Sequence, residues 1–589
     1  MRIAALLKDR CQPKKCNTEC IKYCPIVRTG VEVVVMGESG KPEISEELCA
    51  GCGICTHKCP FEAIKIIGLP DELLDDIVHQ YGENSFRLYR LPVPKTGVVT
   101  GILGPNGIGK STSFKMLSGE LIPNLGRFDN PPSKEEVLDH FAGSEVKDYL
   151  EKVYSKKFRT SMKPQYVDKL PTVFKGPVID LLKKVEERMT VSEAVDLLEL
   201  QEAVKRNMTD LSGGELQRVA IAATLMKDAD IYFFDEPSSY LDIYQRIKIA
   251  RIIESMAAEK NVVVIEHDLA ILDFLAENVY LVFGSEGAYG VFSQPRQVRA
   301  SINVYLDGYA KEENIRFREY PIRFESHPPR ENWQQLALME YGELSCEYPA
   351  FKLKVDAGSI KIGETVGVVG PNAIGKTTFV KMLAGVQVPS GGDVDRKIKV
   401  SYKPQYISPD FDGTVIDLFN TYVKDFFESG FFQTEIAHPM NLKVLLEKNV
   451  KTLSGGELQR VAVALCLARD ADIYLLDEPS AYLDSNQRME TAKTIRRTME
   501  KRGRSAMVVD HDIYFLDMVS DSMMVFEGQP GFDGHGMGPF DMRQGMNMFL
   551  KKVDITFRRD NDTNRPRINK PGSRLDREQK GKGEYYYSS

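Results

Sequence analysis

Two stretches of this chain have the residue types and spacing to hold a nucleotide's phosphates. Gly104-Pro105-Asn106-Gly107-Ile108-Gly109-Lys110-Ser111 follows an apolar run at Val98–Leu103, and Gly370-Pro371-Asn372-Ala373-Ile374-Gly375-Lys376-Thr377 recurs later. In such a loop, bare backbone N–H groups cradle phosphate oxygens, a lysine reaches the β and γ oxygens, and a hydroxyl holds Mg²⁺. Asn106, Gly107, Gly109, Lys110, Ser111 and Thr112 therefore form one candidate site. Asn372, Gly375, Lys376, Thr377 and Thr378 form the other. Downstream of each loop an apolar strand ends in a carboxylate pair before proline, Asp235-Glu236 and Asp477-Glu478. A second apolar strand then ends in a histidine, His267 or His511, the position at which α/β sheets build their sites.

An octapeptide, Leu-Ser-Gly-Gly-Glu-Leu-Gln-Arg, occurs at Leu211–Arg218 and unchanged at Leu453–Arg460. Exact recurrence marks an internal duplication. Ser212, Gly213, Gly214 and their counterparts Ser454, Gly455, Gly456 offer a helix N-terminus, which favours an anion. A loop that merely caps a helix is the plainer reading, and the companion motifs weigh against it. The octapeptide resembles the signature motif of ABC-type ATPases. In that family the signature binds ATP held by the opposite domain, so two copies imply an intramolecular sandwich.

A different chemistry opens the chain. Eight of the ten cysteines fall within the first 59 residues: Cys11, Cys16, Cys20 and Cys24, then Cys49, Cys52, Cys55 and Cys59, with Cys-Pro closing both runs. The second run has the bacterial ferredoxin spacing, in which the fourth cysteine ligates the other cluster. By that rule one 4Fe–4S cluster takes Cys49, Cys52, Cys55 and Cys24, and the other takes Cys11, Cys16, Cys20 and Cys59. Cys52 and Cys55 alone would suit a zinc ribbon; eight cysteines in this order favour iron–sulfur. Redox work and structural stapling both stay open. Ligand spacing rather than scattered pairing fits a reducing cytoplasm.

These residues need elements to hold them. At 589 residues the chain is too long for one core. Its 42% hydrophobic and 27% charged composition is that of a globular protein, and its net charge of -7 is mild. No run of 18 apolar residues occurs, so nothing is expected to cross a membrane, which removes the transporter reading. The N-terminus lacks the apolar region and cleavage site of a secretory leader. The expected order is a ferredoxin-like domain at 1–70, a first ATPase domain at 71–286, an Arg-rich hinge at 287–330, a second ATPase domain at 331–537, and a hinge segment with a basic tail at 538–589. The fold class is α/β: two nucleotide-binding domains in tandem behind an α+β iron–sulfur domain.

The repeats are unequal. Gln165, in Lys-Pro-Gln-Tyr, lies 55 residues beyond Lys110, whereas Gln405, in the same tetrapeptide, lies 29 beyond Lys376. The surplus in the first repeat maps to Pro131–Phe158, where apolar residues at helical spacing break at Gly143. This predicts a helix–loop–helix insert, either a tolerated surface insertion or a docking element. A short helix is expected after Pro70. Phe86 and Phe351 precede the loop lysines by 24 and 25 residues, where ABC ATPases stack an aromatic on adenine. Tyr81 and Tyr348 are possible second faces. Arg296, Arg299, Arg316, Arg318 and Arg323 enrich the hinge, and Val298–Leu306 resembles Met542–Leu550. The closing Lys570–Ser589 reads as polar and mobile.

Eight ordered cysteines, twin ATPase repeats, an insert in the first repeat alone and Arg-rich hinges resemble, over essentially the whole chain, ABC subfamily E. That is the ribosome-recycling ATPase family also called RNase L inhibitor. The resemblance implies a soluble, cytoplasmic, monomeric factor that splits ribosomes with ATP, using two iron–sulfur clusters and Mg²⁺. The implied partners are the small ribosomal subunit, through its RNA and proteins, and a release factor or Pelota-like protein. It also implies two composite sites: Lys110, Ser111, Gln165, Asp235, Glu236 and His267 with Ser454, Gly455 and Gly456, and Lys376, Thr377, Gln405, Asp477, Glu478 and His511 with Ser212, Gly213 and Gly214. There the glutamates act on water, the histidines sense the γ-phosphate, and Ser111, Gln165, Thr377, Gln405 and the two aspartates serve Mg²⁺. Ala373 and Asp510 depart from the family's expected glycine and glutamate. Two other classes remain: an ATPase gating electron transfer from its clusters to a partner, and a nucleic-acid repair ATPase, whose long coiled-coil insertions are missing.

Overall fold

The computed structural model describes residues 2–37, 39–46, 48–68, 76–318, 320–324, 336–394 and 398–586. The short helix expected after Pro70 falls largely on residues outside these. The chain forms two compact units, Met1–Pro237 with Ile253–His267 and Ala276–Glu319, and Ser238–Ile252 with Asp268–Leu275 and Tyr320–Ser589.

In the first unit, the N-terminal strand Arg2–Leu6 pairs antiparallel with Ile64–Gly68, and the two cysteine runs lie between them. Short helices Glu19–Lys22 and Ile54–Lys58 carry cysteines inward to a small core of Ala4, Leu6, Val33, Ile44, Ala63 and Ile64. The small domain is seated firmly on the first repeat. Buried Asn84 clamps both backbone groups of Ile44 at 2.7 Å, and Lys65 Nζ donates to Ser285 at 2.8 Å. Ala5, Leu7 and Ile67 pack with Tyr89, Phe283 and Val291 in a shared apolar seam.

Among the described residues this unit also builds a nine-stranded sheet. Its parallel centre runs Thr160–Lys163, Ile231–Asp235, Asn261–Ile265, Val99–Leu103, Asn278–Ser285. Its inner strands Ile231–Asp235, Asn261–Ile265 and Val99–Leu103 are mainly apolar, as strands covered on both faces are. Two helices, Lys134–His140 and Glu145–Tyr154, occupy the stretch special to this repeat, joined at Gly143 with φ +78°. They are part of the core. Val137, Leu150 and Val153 are buried with Phe114, Met116 and Leu117 of the helix that follows the phosphate loop, and Tyr149 donates to Leu117 O at 2.8 Å. Hinge arginines pack locally: Arg296 grips Glu313 with two bonds of 2.9 and 2.7 Å, and Arg318 lies over Tyr305.

Among the described residues the second unit's sheet has eight strands, with Val400–Lys403, Ile473–Asp477, Ser505–Val509, Thr365–Val369 and Ser522–Gln529 parallel at its centre. The stretches that resemble each other near the ends of the repeats are both helices, Val298–Asp307 and Met542–Lys552. One expectation fails. The closing segment is not a mobile polar tail: it forms a helix at Arg574–Lys582, buries Asp576, and tucks Tyr586 fully inside. Charge misled the reading, because the basic side chains find partners. Arg559 bonds both oxygens of Asp517, at 2.7 and 2.8 Å, and Tyr586 hydrogen-bonds the same carboxylate.

Candidate nucleotide and iron–sulfur sites

Each phosphate loop joins the end of a central strand to a helix, Lys110–Leu117 or Lys376–Leu383. Gly109 and Gly375 sit at φ +94° and +98°, where a Cβ would strike Phe86 and Leu88 in one case and Leu353 and Phe351 in the other. Both phenylalanines therefore pack beneath the loop. Tyr81, 54% exposed, instead presents its ring at the rim, with its hydroxyl 3.1 Å from Thr112 Oγ1. Tyr348 is exposed at the matching place. Lys110 Nζ donates to the carbonyls of Gly104 and Pro105 at 2.7 and 2.6 Å, and Lys376 Nζ to those of Gly370 and Pro371 at 2.9 and 2.5 Å.

The carboxylate pairs end the neighbouring strands. Ser111 Oγ lies 3.4 Å from Asp235 Oδ2, the geometry by which a hydroxyl and a carboxylate flank a cation. Burial, with Glu236 beside it, pushes the Asp235 carboxyl up to about 7; burial likewise lifts Asp477 to about 6. Among the described residues both Asp477 oxygens are buried and meet no hydrogen bond of good geometry, with the Thr377 hydroxyl their near neighbour, which suits a divalent ion. Glu236 and Glu478 sit at φ +49° and +48°, a left-handed conformation costing about 1–3 kcal/mol that marks many functional positions. Gln165 Nε2 donates to Glu236 Oε1 at 2.7 Å and Gln405 Nε2 to Glu478 Oε1 at 2.8 Å. His267 Nε2 lies 3.5 Å from Glu236 Oε1 and 3.1 Å from Asn106 Oδ1, and His511 Nε2 lies 3.6 Å from Glu478 Oε1. Burial would raise Glu478, but His511, Lys376 and Gln405 together hold it down to about 2.

Within each repeat, then, lysine, hydroxyl, glutamine, aspartate, glutamate and histidine converge. The signature segments form a second kind of surface. Ser212 and Ser454 are exposed N-caps of 14-residue helices, each in a capping box with Glu215 or Glu457. A Cβ on Gly456 would meet Tyr482 O at 2.8 Å, so only glycine fits there. Two positions of the recurring motifs, each filled in both repeats, carry contacts that the sequence reading leaves unassigned. Lys163 and Lys403 are buried and donate to the carbonyls of Asp235 and Glu236, and of Asp477 and Glu478. Burial depresses both to about 8. Gln217 and Gln459 brace the carbonyls of Glu236 and Glu478 at 2.8 and 2.6 Å. Their recurrence inside Lys-Pro-Gln-Tyr and the octapeptide was the available signal.

The cysteines gather in two sets. Cys11, Cys16, Cys20 and Cys59 line one hollow with Leu6, Pro13 and Phe61. Burial pushes the Cys20 thiol up to about 11, with Cys59, Cys11 and Cys16 adding to the rise. Cys55 is likewise pushed up to about 11 by burial, then by Cys49, Cys52 and Cys24. Thiols that neighbour one another around an apolar hollow are suited to a thiolate-ligated cluster, whose cationic irons would reverse these shifts.

Known proteins bear on all three features. The family model described as ABC transporter matches residues 94–239 and 353–481. That described as a possible Fer4-like domain in RNase L inhibitor matches 1–32, and that of a 4Fe–4S binding domain matches 42–65. An ABC transporter ATP-binding protein of Methanocaldococcus jannaschii is 53% identical over 100% of this chain and 98% of its own length. Ribosome-bound archaeal ABCE1, from a structure with Pelota, shares 52% identity and a TM-score of 0.94 over 100% of this chain and 99% of that one. An archaeal ribosome recycling factor crystallised with the stalk protein aP1 shares 53% identity and a TM-score of 0.84, covering 88% of this chain and all of the other. No described helix is long and apolar enough to cross a membrane. With two ABC-type sites behind a 4Fe–4S module, and such identity along its whole length, the chain is an ATPase and belongs to the RNase L inhibitor family, ABC subfamily E.

Proposed function

We propose that this protein splits ribosomes into subunits with energy from ATP and remains on the small subunit. The observation that carries the reading is similarity, at 52–53% identity, to a ribosome-bound protein along the whole chain and to a ribosome recycling factor along 88% of it. Partners on this reading are the small subunit and a Pelota-like or release factor. The protein acts as a cytoplasmic monomer.

In the family each ATP is met by the other repeat's signature, which here would be Ser454–Gly456 for Lys110 and Ser212–Gly214 for Lys376. Mg²⁺, held by Ser111 and Asp235 or by Thr377 and Asp477 with the nearby glutamines, would neutralise charge on the β and γ oxygens. Lys110 and Lys376 exchange their carbonyl partners for phosphate. Glu236 and Glu478, aimed by glutamine and histidine, orient the attacking water. His267 and His511 donate to the γ-phosphate. Tyr81 and Tyr348, exposed beside Thr112 and Thr378, are better placed than Phe86 and Phe351 to stack on adenine. Closing the sandwich is favourable only while γ-phosphate bridges it, so hydrolysis releases it. The clusters, two 4Fe–4S centres on the quartets above, would staple a domain too small to hold its shape alone.

The test is capture of the Glu236→Gln, Glu478→Gln double variant on ribosomes with ATP, followed by sedimentation. Retention on small subunits supports the proposal; no ATP-dependent association would sink it.

A further inference from the structure

Past Asp235-Glu236-Pro237, the chain turns through Ser238–Asp242 into the helix Ile243–Met256. Arg246, in the first turn of that helix, is buried in the second unit together with Asp268, His511 and the second phosphate loop. Its Nε donates to Leu241 O at 2.8 Å. Its Nη1 donates to Asp268 Oδ2 at 2.7 Å and to the carbonyl of His511 at 3.4 Å. The same turn grips the second loop: Asn372 N donates to Asp242 Oδ2 at 2.9 Å, and Asn372 Nδ2 to Tyr240 O at 3.3 Å. One rigid guanidinium thus joins a turn of the first repeat to the backbone of the histidine facing Glu478. In the second repeat, Arg488 makes the corresponding bonds to Leu483 O at 2.9 Å and Asp512 Oδ2 at 3.1 Å, so the arginine is a recurring part.

We propose that Arg246 is a positioning residue for the second ATP site: it fixes the peptide of His511, and so the histidine ring, from a segment that belongs by sequence to the first repeat. The proposal rests on the reading that His511 serves hydrolysis at the second phosphate loop. The physical reason for arginine is its fork, whose Nε and Nη1 together reach a carbonyl, a carboxylate and a second carbonyl; an ammonium cannot span the three. A bond to His511 O leaves the imidazole free to face Glu478 while removing freedom from the peptide that carries it. Whatever moves the Ser238–Asp242 turn would then be felt at His511.

The experiment uses the full-length, cluster-loaded protein on a Glu236→Gln background, where turnover comes from the second site. Arg246→Gln is expected to lower kcat about tenfold while the KM for ATP stays within about threefold. Arg246→Lys keeps a cation opposite Asp268 and guards against a folding artefact; it should unfold at the parent's temperature and still lose kcat by about threefold or more. Adding Arg246→Gln to His511→Ala should cost little further, because the two act through one ring. Full additivity, or a kcat within about twofold of the background for both arginine variants, overturns the proposal. So does a loss seen only on the Glu478→Gln background. If His511→Ala alone leaves second-site turnover intact, the reading of the site itself fails, and that result is separate from the arginine's.

Discussion

The two nucleotide sites repeat one set of contacts and differ in what surrounds it. Lysine to loop carbonyls, glutamine to glutamate, buried lysine to the Asp-Glu carbonyls and histidine near glutamate recur with distances matched within a few tenths of an ångström. The differences lie one layer out. Two extra helices buttress the first phosphate-loop helix. His267 is preceded by Glu266, whose Oε1 accepts from its own neighbour His267 N at 2.7 Å. His511 is preceded by Asp510, which accepts from His511 N at 2.7 Å and also from Ser480 N and Oγ. Asp510 thus ties the peptide of His511 to the turn after Glu478-Pro479, an aspartate where the first repeat has Glu266. Phosphate chemistry leaves little latitude in the inner contacts, whereas support can diverge and tune each site.

The largest effects test whether the inner contacts are equivalent. Glu236→Gln and Glu478→Gln should each silence hydrolysis at their own site, by about a hundredfold or more, while ATP still binds. Because the outer layers differ, the two single variants should leave unequal steady-state turnover. Equal residual rates would remove the claim of asymmetry.

Next comes the iron–sulfur domain against the sheet it rests on. Its seat is built: Asn84 clamps Ile44, and an apolar seam joins Ala5 and Leu7 to Phe283. On the proposed function, a domain held this way would act as a lever only while its own core is stapled. Cys24→Ser and Cys59→Ser, one from each quartet, should therefore abolish ribosome splitting and spare ATP hydrolysis. Splitting measured with intact clusters, reduced or as isolated, should be the same. A strong dependence on redox state would favour the electron-transfer alternative.

Of the fold and sites, the sequence made legible whatever was encoded twice or at fixed spacing. The phosphate loops each join a strand to a helix, the Asp-Glu pairs end the neighbouring strands and the signatures cap helices, because local backbone geometry dictates those motifs. What stayed hidden was long-range. That Tyr81 and not Phe86 faces outward depends on Gly109 needing an apolar floor. The burial of Tyr586 depends on Asp517, 69 residues earlier in the chain. The insert's apolar residues could as well have formed a surface hairpin; only the sheet they meet decides it.

Those long-range contacts give predictions of middle size. Tyr586→Ala should destabilise the second unit by about 3–5 kcal/mol, since it removes a buried ring and strands Asp517 with Arg559. Leu150→Ala should cost the first unit about 2–5 kcal/mol, read by denaturant unfolding. If Leu150→Ala is neutral, the insert is a surface feature and deleting Pro131–Phe158 would leave ATP hydrolysis intact.

The smallest effect falls on a single methyl group and separates the two loops most finely. Gly107 and Ala373 hold equivalent places, at φ +71° and +56°. Each carbonyl accepts a bond of 2.9 Å, from Gly287 N and Gly531 N respectively. A left-handed alanine costs roughly 1–2 kcal/mol, partly offset because glycine loses more entropy on folding. Ala373→Gly should therefore stabilise the second unit by no more than about 1 kcal/mol, with ATP binding at that site changed by under about fivefold. The reverse swap is not its mirror image. At Gly107 a Cβ would lie 2.7 Å from Glu286 Cγ, so Gly107→Ala must both strain the backbone and displace that side chain. It should weaken ATP binding at the first site more than Ala373→Gly strengthens it at the second. Nucleotide titrations on the Glu236→Gln, Glu478→Gln background, where nothing is hydrolysed, can resolve the two. Equal and opposite shifts would mean that backbone strain alone separates the loops and that Glu286 yields freely.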